Sequence, residues 1–177
     1  EQAVTAIIES AFQSAGQRCS ALRCLYVQED IAEEFSKMLI GAMKELSVDN
    51  PWHLSTDSGP VIDAEAQAGI AAHIAEADAQ GRVLFQMQAP QTGTYIAPTL
   101  IKIEGIADLE REIFGPVLHL ATFKASDLDA VIDAINATGY GLTFGLQTRI
   151  DDRVQHVSDR IHAGNVYVNR NQIGAIV

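Results

Sequence analysis

Apolar and polar positions alternate along the chain in two rhythms, one helical and one extended. Val4, Ile7, Ile8, Ala11, Phe12 and Ala15 fall at i, i+3, i+4, i+7, i+8 and i+11, the buried face of a helix that ends at the Gly16 turn. Leu22 to Val27 reads as a short buried strand. Helical spacing returns with Ile31, Phe35, Met38, Leu39, Ala42 and Leu46, and Asp30 and Glu33 are placed as a capping box. Asn50-Pro51 breaks that pattern, and a loop runs to Gly59-Pro60. Asp63 is set to cap the next helix, through Ala66, Ile70, Ile74 and Ala77 to Gly81. Val83 to Phe85 and Tyr95 to Ile96 read as strands around the Gln91-Thr92-Gly93 turn. Val117 to Phe123 is a stronger strand, and Ser126 with Asp129 forms a second capping box before Leu128, Val131, Ile132 and Ile135. Phe144 to Thr148 reads as a strand, Asp151 to Ile161 as a helix and Val166 to Val168 as a last strand. This alternation predicts an α/β fold, a mostly parallel sheet flanked by helices, in one domain over residues 1–177.

Composition narrows the functional classes. An apolar share of 47% argues against disorder, and a net charge of −11 with no basic cluster argues against nucleic acid or an anionic membrane as partner. No apolar run approaches the roughly 20 residues that a bilayer-crossing helix needs. The first residues form an acidic amphipathic helix with no basic leader, so no signal peptide is expected. Cys19 and Cys24 are too few for a disulfide framework, and their spacing, without a matching His or Cys pair, makes no zinc site. A reducing cytoplasm is the simplest setting. Gly139-Tyr140-Gly141-Leu142-Thr143-Phe144-Gly145 looks like a dinucleotide loop, but it follows a helix and precedes a strand, the inverse of the required order. It reads as a helix-terminating turn.

The chemistry begins at Cys19. A Gly-containing turn delivers it after an apolar helix, with Arg18 immediately before it. A nearby cation and exposed backbone N–H groups favour thiolate over thiol; a small buried cysteine is the competing reading. The segment Phe12-Gln13-Ser14-Ala15-Gly16-Gln17-Arg18-Cys19 is one motif, and Glu110-Arg111-Glu112-Ile113-Phe114-Gly115-Pro116-Val117 is a second. Further matches are Gly59-Pro60-Val61-Ile62, Gly93-Thr94-Tyr95-Ile96-Ala97-Pro98-Thr99-Leu100, Tyr140-Gly141-Leu142-Thr143 and Gly164-Asn165-Val166-Tyr167-Val168-Asn169. In this order, over nearly the whole chain, they resemble the aldehyde dehydrogenase superfamily. The wording Gly16-Gln17-Arg18-Cys19-Ser20-Ala21-Leu22-Arg23 is most similar to its glutamate semialdehyde (pyrroline-5-carboxylate) dehydrogenase branch, as found in bifunctional bacterial proline utilization proteins.

That resemblance implies NAD-dependent oxidation of a small-molecule aldehyde through a thiohemiacetal and a thioester on Cys19, whose own N–H forms half of an oxyanion hole. It implies that the Glu112 carboxylate accepts the nicotinamide ribose hydroxyls and that Phe114 packs beside the nicotinamide end. The alternatives are a solvated acid, next to Glu104, Asp108 and Glu110, and an aromatic plugging a Gly-Pro turn. Arg18 and Ser20 are the nearest candidates for the substrate carboxylate, although Arg18 also suits a surface ion pair and Ser20 a turn. The resemblance places Asn169 near the active-site mouth, although an asparagine ending a strand also suits local turn chemistry; the five histidines read as surface or satisfied core positions, and Trp52 as loop packing.

Four parts of the family pattern are absent: the nucleotide-binding domain, the water-activating glutamate, the asparagine completing the oxyanion hole, and the glycine-rich aldehyde-anchoring loop expected beyond Val177. The expectation is therefore a catalytic domain cut at both ends, with little turnover by itself. FAD is expected only in a separate proline dehydrogenase domain, if the parent is bifunctional. Another aldehyde substrate, or a non-catalytic domain that self-associates through a sheet edge such as Val166 to Val168, are the alternatives.

Overall fold

The computed structural model describes residues 1–174. Five helices, α1 (Gln2–Phe12), α2 (Glu29–Lys44), α3 (Ala64–Ala79), α4 (Leu128–Ala137) and α5 (Asp151–Arg160), alternate with six strands. The strands are β1 (Cys24–Gln28), β2 (Val83–Gln86), β3 (Thr99–Lys102), β4 (Val117–Phe123), β5 (Thr143–Leu146) and β6 (Asn165–Val168). The main sheet has the order β1-β4-β3-β2, parallel except for the antiparallel β2–β3 pair. A separate parallel pair, β5–β6, stands apart from it. The α/β class is as the pattern predicts, with the extended segments divided between two sheets.

Period-two alternation explains the layers. Along β4, Val117 and Ala121 pack with Ile70, Ile74 and Ala77 of α3, whereas Leu118 and Leu120 pack with Ile7, Ala11, Phe12, Leu39 and Met43 of α1 and α2. Buried on both faces, the central strands are mostly apolar, with Thr99 and His119 as buried polar interruptions. Ile132, Val157 and Ile161 form a smaller core that seats α4 and α5 on β5–β6. Asp129 stitches those two helices together, accepting from His156 Nε2 at 2.6 Å and from Arg160 Nη1 at 2.9 Å.

Several local expectations are corrected. The first helix stops at Phe12, because Ser14, Ala15 and Gly16 all take left-handed φ near +60°. Asp63 caps α3 as read, accepting the Ala66 N–H at 2.8 Å. Asp30 instead lies inside α2 and accepts from the Gln28 side chain, and Ser126 donates to Asp127. Neither capping box forms. Tyr95–Ile96 is not a strand; the strand begins past Pro98, at Thr99, whose N–H reaches Pro116 O at 3.0 Å. A proline cannot donate to the ladder, so pairing starts after it. Trp52 is 90% exposed, contrary to its reading as loop packing. Gly139, with φ +75°, does end α4 as a turn. The anchoring loop expected beyond Val177 lies outside the described residues.

Candidate active site

Cys19 stands exposed on the connection between the left-handed turn and β1. Its N–H donates to no group among the described residues. Its neighbours are held from three sides. Gln17 Oε1 accepts the Ile62 N–H at 2.9 Å, pinning the turn to the loop before α3. Ser20 is buried; its Oγ accepts the Gly174 N–H at 3.3 Å and its carbonyl accepts from Thr143 Oγ1 at 3.4 Å. Gly16 rests against the second motif so closely that a Cβ there would lie 2.2 Å from Gly115 O. Two motifs nearly a hundred residues apart in the chain thus touch through backbone, and glycine is what permits the approach.

Arg23 forms the third support. Its side chain is 14% exposed. Nε donates to Glu112 Oε1 at 2.9 Å, Nη2 to Arg18 O at 3.1 Å, and Nη1 to Gly16 O and, at 3.4 Å, to Gly115 O. The Phe114 ring lies over the guanidinium carbon at 4.7 Å from its centroid. Burial pushes the Arg23 pKa down, and the Glu112 carboxylate opposes that shift. Glu112 and Phe114 therefore come together with the nucleophile turn. The Glu112 side chain is 34% exposed, and only its Oε1 is engaged among the described residues. Phe114 is 43% exposed, which removes the reading of it as a core plug.

Arg18 lies exposed beside the thiol, its Nε on Ser14 Oγ at 3.0 Å and not on a surface acid. Asn169 performs the local role expected of it, its Oδ1 accepting the Thr148 N–H at 2.9 Å. Cys24 is largely buried, and that burial, aided by Asp108, pushes its thiol up to about 12. The two cysteines are free and chemically unlike.

A groove of about 730 Å³ collects these groups. Cys19, Arg23 and Glu112 lie on its wall, together with the length of β1 and of β5. Beneath it, His119 on β4 makes a contact that no motif announced. Its Nδ1 lies 2.9 Å from Arg23 O, and its Nε2 lies 2.8 Å from His73 Nε2 on α3. A carbonyl can only accept, so His119 carries its proton on Nδ1 and accepts at Nε2 from the His73 N–H. Burial depresses the His119 pKa to about 4. Sequence reasoning gave Arg23 no role, and it took His119 only as a surface or satisfied core position, the second of which the structure shows. The available signal was a charged or titratable residue inside a predicted buried strand, which must find a partner; the pattern could not say that Glu112 and His73 are those partners.

Comparison with known proteins gives the chain's family. A family profile described as the aldehyde dehydrogenase family matches residues 1–177. The chain is 52% identical over 185 aligned residues to the bifunctional protein PutA of Salmonella typhimurium, covering all of this chain and 14% of that protein. It is 36% identical to a 1-pyrroline-5-carboxylate dehydrogenase of Bacillus cereus, covering all of this chain and 35% of that one. A crystal structure of Bradyrhizobium japonicum Proline Utilization A superposes with a TM-score of 0.95 at 45% identity, over 99% of this chain and 18% of that one. A 1-pyrroline-5-carboxylate dehydrogenase from Thermus with bound NAD gives 0.89 at 30% identity, over 99% and 34%. The chain thus spans a seventh to a third of the length of these relatives.

Proposed function

Because the chain belongs to the aldehyde dehydrogenase family, we propose that it bears the nucleophile of an NAD-dependent enzyme oxidising L-glutamate γ-semialdehyde to glutamate in proline catabolism. The observation that carries this reading is the meeting of the Cys19 turn with Glu112 and Phe114 through Arg23. The relatives' names, PutA and 1-pyrroline-5-carboxylate dehydrogenase, support the substrate. The reaction is assigned to a polypeptide of the relatives' length, with this chain as its nucleophile-bearing domain and the NAD-binding domain outside it.

The residues fit the cofactor's ribose. A carboxylate held at Oε1 by Arg23 presents Oε2 for a hydroxyl, and the exposed Phe114 ring offers an apolar face beside it. NAD, when bound, accepts the hydride from the reacting carbon. The Cys19 thiolate adds to the aldehyde carbon, and the Cys19 N–H, without a partner among the described residues, donates to the alkoxide oxygen formed. Water then cleaves the resulting thioester, returning the thiol and releasing the acid. Among the described residues Arg18 leaves both terminal guanidinium nitrogens for the substrate carboxylate. Ser20 brings only its hydroxyl proton to that contact, its oxygen already accepting from Gly174. FAD is assigned to a separate proline dehydrogenase domain where the whole protein is bifunctional. The two free thiols favour a reducing cytoplasm, and the open edge of β6, which pairs only with β5 among the described residues, favours homo-oligomerisation.

Alkylation with mass mapping tests the nucleophile. Iodoacetamide at neutral pH is expected to modify Cys19 and spare Cys24, whose thiol stays protonated there. C19S in the enzyme carrying this chain is expected to lose at least about a thousandfold in kcat. Full activity of C19S removes the reading.

A further inference from the structure

The four hydrogen bonds of Arg23 join groups that the reaction uses separately. We propose that Arg23 is a positioning residue that presents the Glu112 carboxylate to the nicotinamide ribose and, with the same guanidinium, holds the turn carrying Cys19. The inference rests on the reading of Cys19 as nucleophile and Glu112 as ribose ligand, and it adds a residue that touches neither substrate nor cofactor.

The geometry divides the work of the side chain. Nε takes one oxygen of Glu112 at 2.9 Å and fixes the carboxylate's direction, leaving the other oxygen outward. Nη2 takes the Arg18 carbonyl at 3.1 Å, and Nη1 takes the carbonyls of Gly16 and Gly115. The Gly16 and Arg18 carbonyls lie just before Cys19 in the chain, so the fork clamps the approach to the nucleophile. Phe114 covers the guanidinium plane and keeps water from that face. The main chain of Arg23 is fixed in turn. Its carbonyl receives both the His119 N–H at 3.0 Å and His119 Nδ1–H at 2.9 Å, and His119 is itself held by His73 at 2.8 Å. Only arginine meets these demands, since a planar fork of five donors serves three directions at once and a lysine ammonium cannot.

The left-handed turn supplies an independent reason for the clamp. Ser14 and Ala15, with φ of +56° and +53°, are non-glycine residues held in the left-handed region, where a Cβ is strained. A turn so disposed relaxes unless its carbonyls are held, and Arg23 reaches the carbonyl of Gly16, the next residue, directly.

A double-mutant cycle in the enzyme carrying this chain tests the proposal. R23Q is expected to raise KM for NAD about tenfold, the usual loss when a charge-assisted hydrogen bond is removed. E112Q is expected to do the same. Because Arg23 acts through Glu112, R23Q/E112Q should be no worse than the weaker single variant in KM. R23K, which can restore the bond to Glu112 but not the grip on the two turn carbonyls, should recover most of the KM while kcat and the alkylation rate of Cys19 stay several-fold low. Multiplying KM losses in the cycle, an unchanged KM in R23Q, or an R23K indistinguishable from R23Q each overturn the proposal. Thermal unfolding of R23K checks that the fold is intact. A wild-type enzyme indifferent to C19S would remove the underlying reading; a Cys19-dependent enzyme indifferent to R23Q removes only Arg23.

Discussion

Gly16 is where the two motifs make backbone contact, and a single methyl group there meets two obstacles. Its φ of +64° lies in the left-handed region, and a Cβ would stand 2.2 Å from Gly115 O. G16A is therefore expected to lower unfolding free energy by roughly 2–4 kcal/mol, at the severe end for a point substitution, with lost activity. Denaturant melts of G16A beside G41A give the comparison, since Gly41 sits in α2 with open space around its missing Cβ. Equal effects would mean that the close approach is not what Gly16 supplies. The same scale separates the cysteines. Both stand at the entry to one strand and look alike in sequence, yet Cys19 is exposed and Cys24 faces the core beside Tyr26.

At the scale of elements, long periodic segments kept their type and their ends moved. α3 starts where Asp63 places it because a side-chain oxygen meets the Ala66 N–H, a local interaction that sequence contains. Asp30 and Ser126 offered the same chemistry and found other partners, Gln28 and Asp127. The strand at Thr99 escaped notice because four residues after a proline carry little pattern; its pairing comes from β4 and β2 on either side, and its burial from the helices packed on its two faces. β6 bears the element-level prediction. Paired on one side only among the described residues, it is expected to template association, so the mass seen in sedimentation should rise above 19.1 kDa as concentration increases. A constant monomer mass would remove that assignment.

For the whole molecule, the buried histidines couple folding to pH. His119 titrates near 4 in the folded protein, because burial disfavours its charged form, and near 6.5 when unfolded. His73 is lowered too, by burial first and then by Arg111 and Arg82, with Glu76 opposing. Between those values the unfolded chain binds the proton that the folded one refuses. Stability is thus full above about pH 6.5 and falls as the pH drops from 6.5 through 4, by on the order of 3 kcal/mol for His119. H119N is expected to flatten this limb of a melting-temperature profile while keeping a donor for Arg23 O. An unchanged slope would place the acid sensitivity elsewhere.

The chain's own order of residues determined the α/β alternation, the helix capped by Asp63, the turn at Gly139 and the identity of the two motifs around Cys19 and Glu112. Each of those depends on periodicity, capping or a short string of neighbours, all of which are local. Tertiary structure alone decided that Glu112 is held by Arg23, that His119 faces His73, that Trp52 is exposed and that the strands divide into two sheets. Arg23 and Glu112 are 89 residues apart in the chain, and His73 and His119 are 46. Partnership over such distances is set by which faces of which elements pack, and a buried charge or imidazole announces only that a partner must exist.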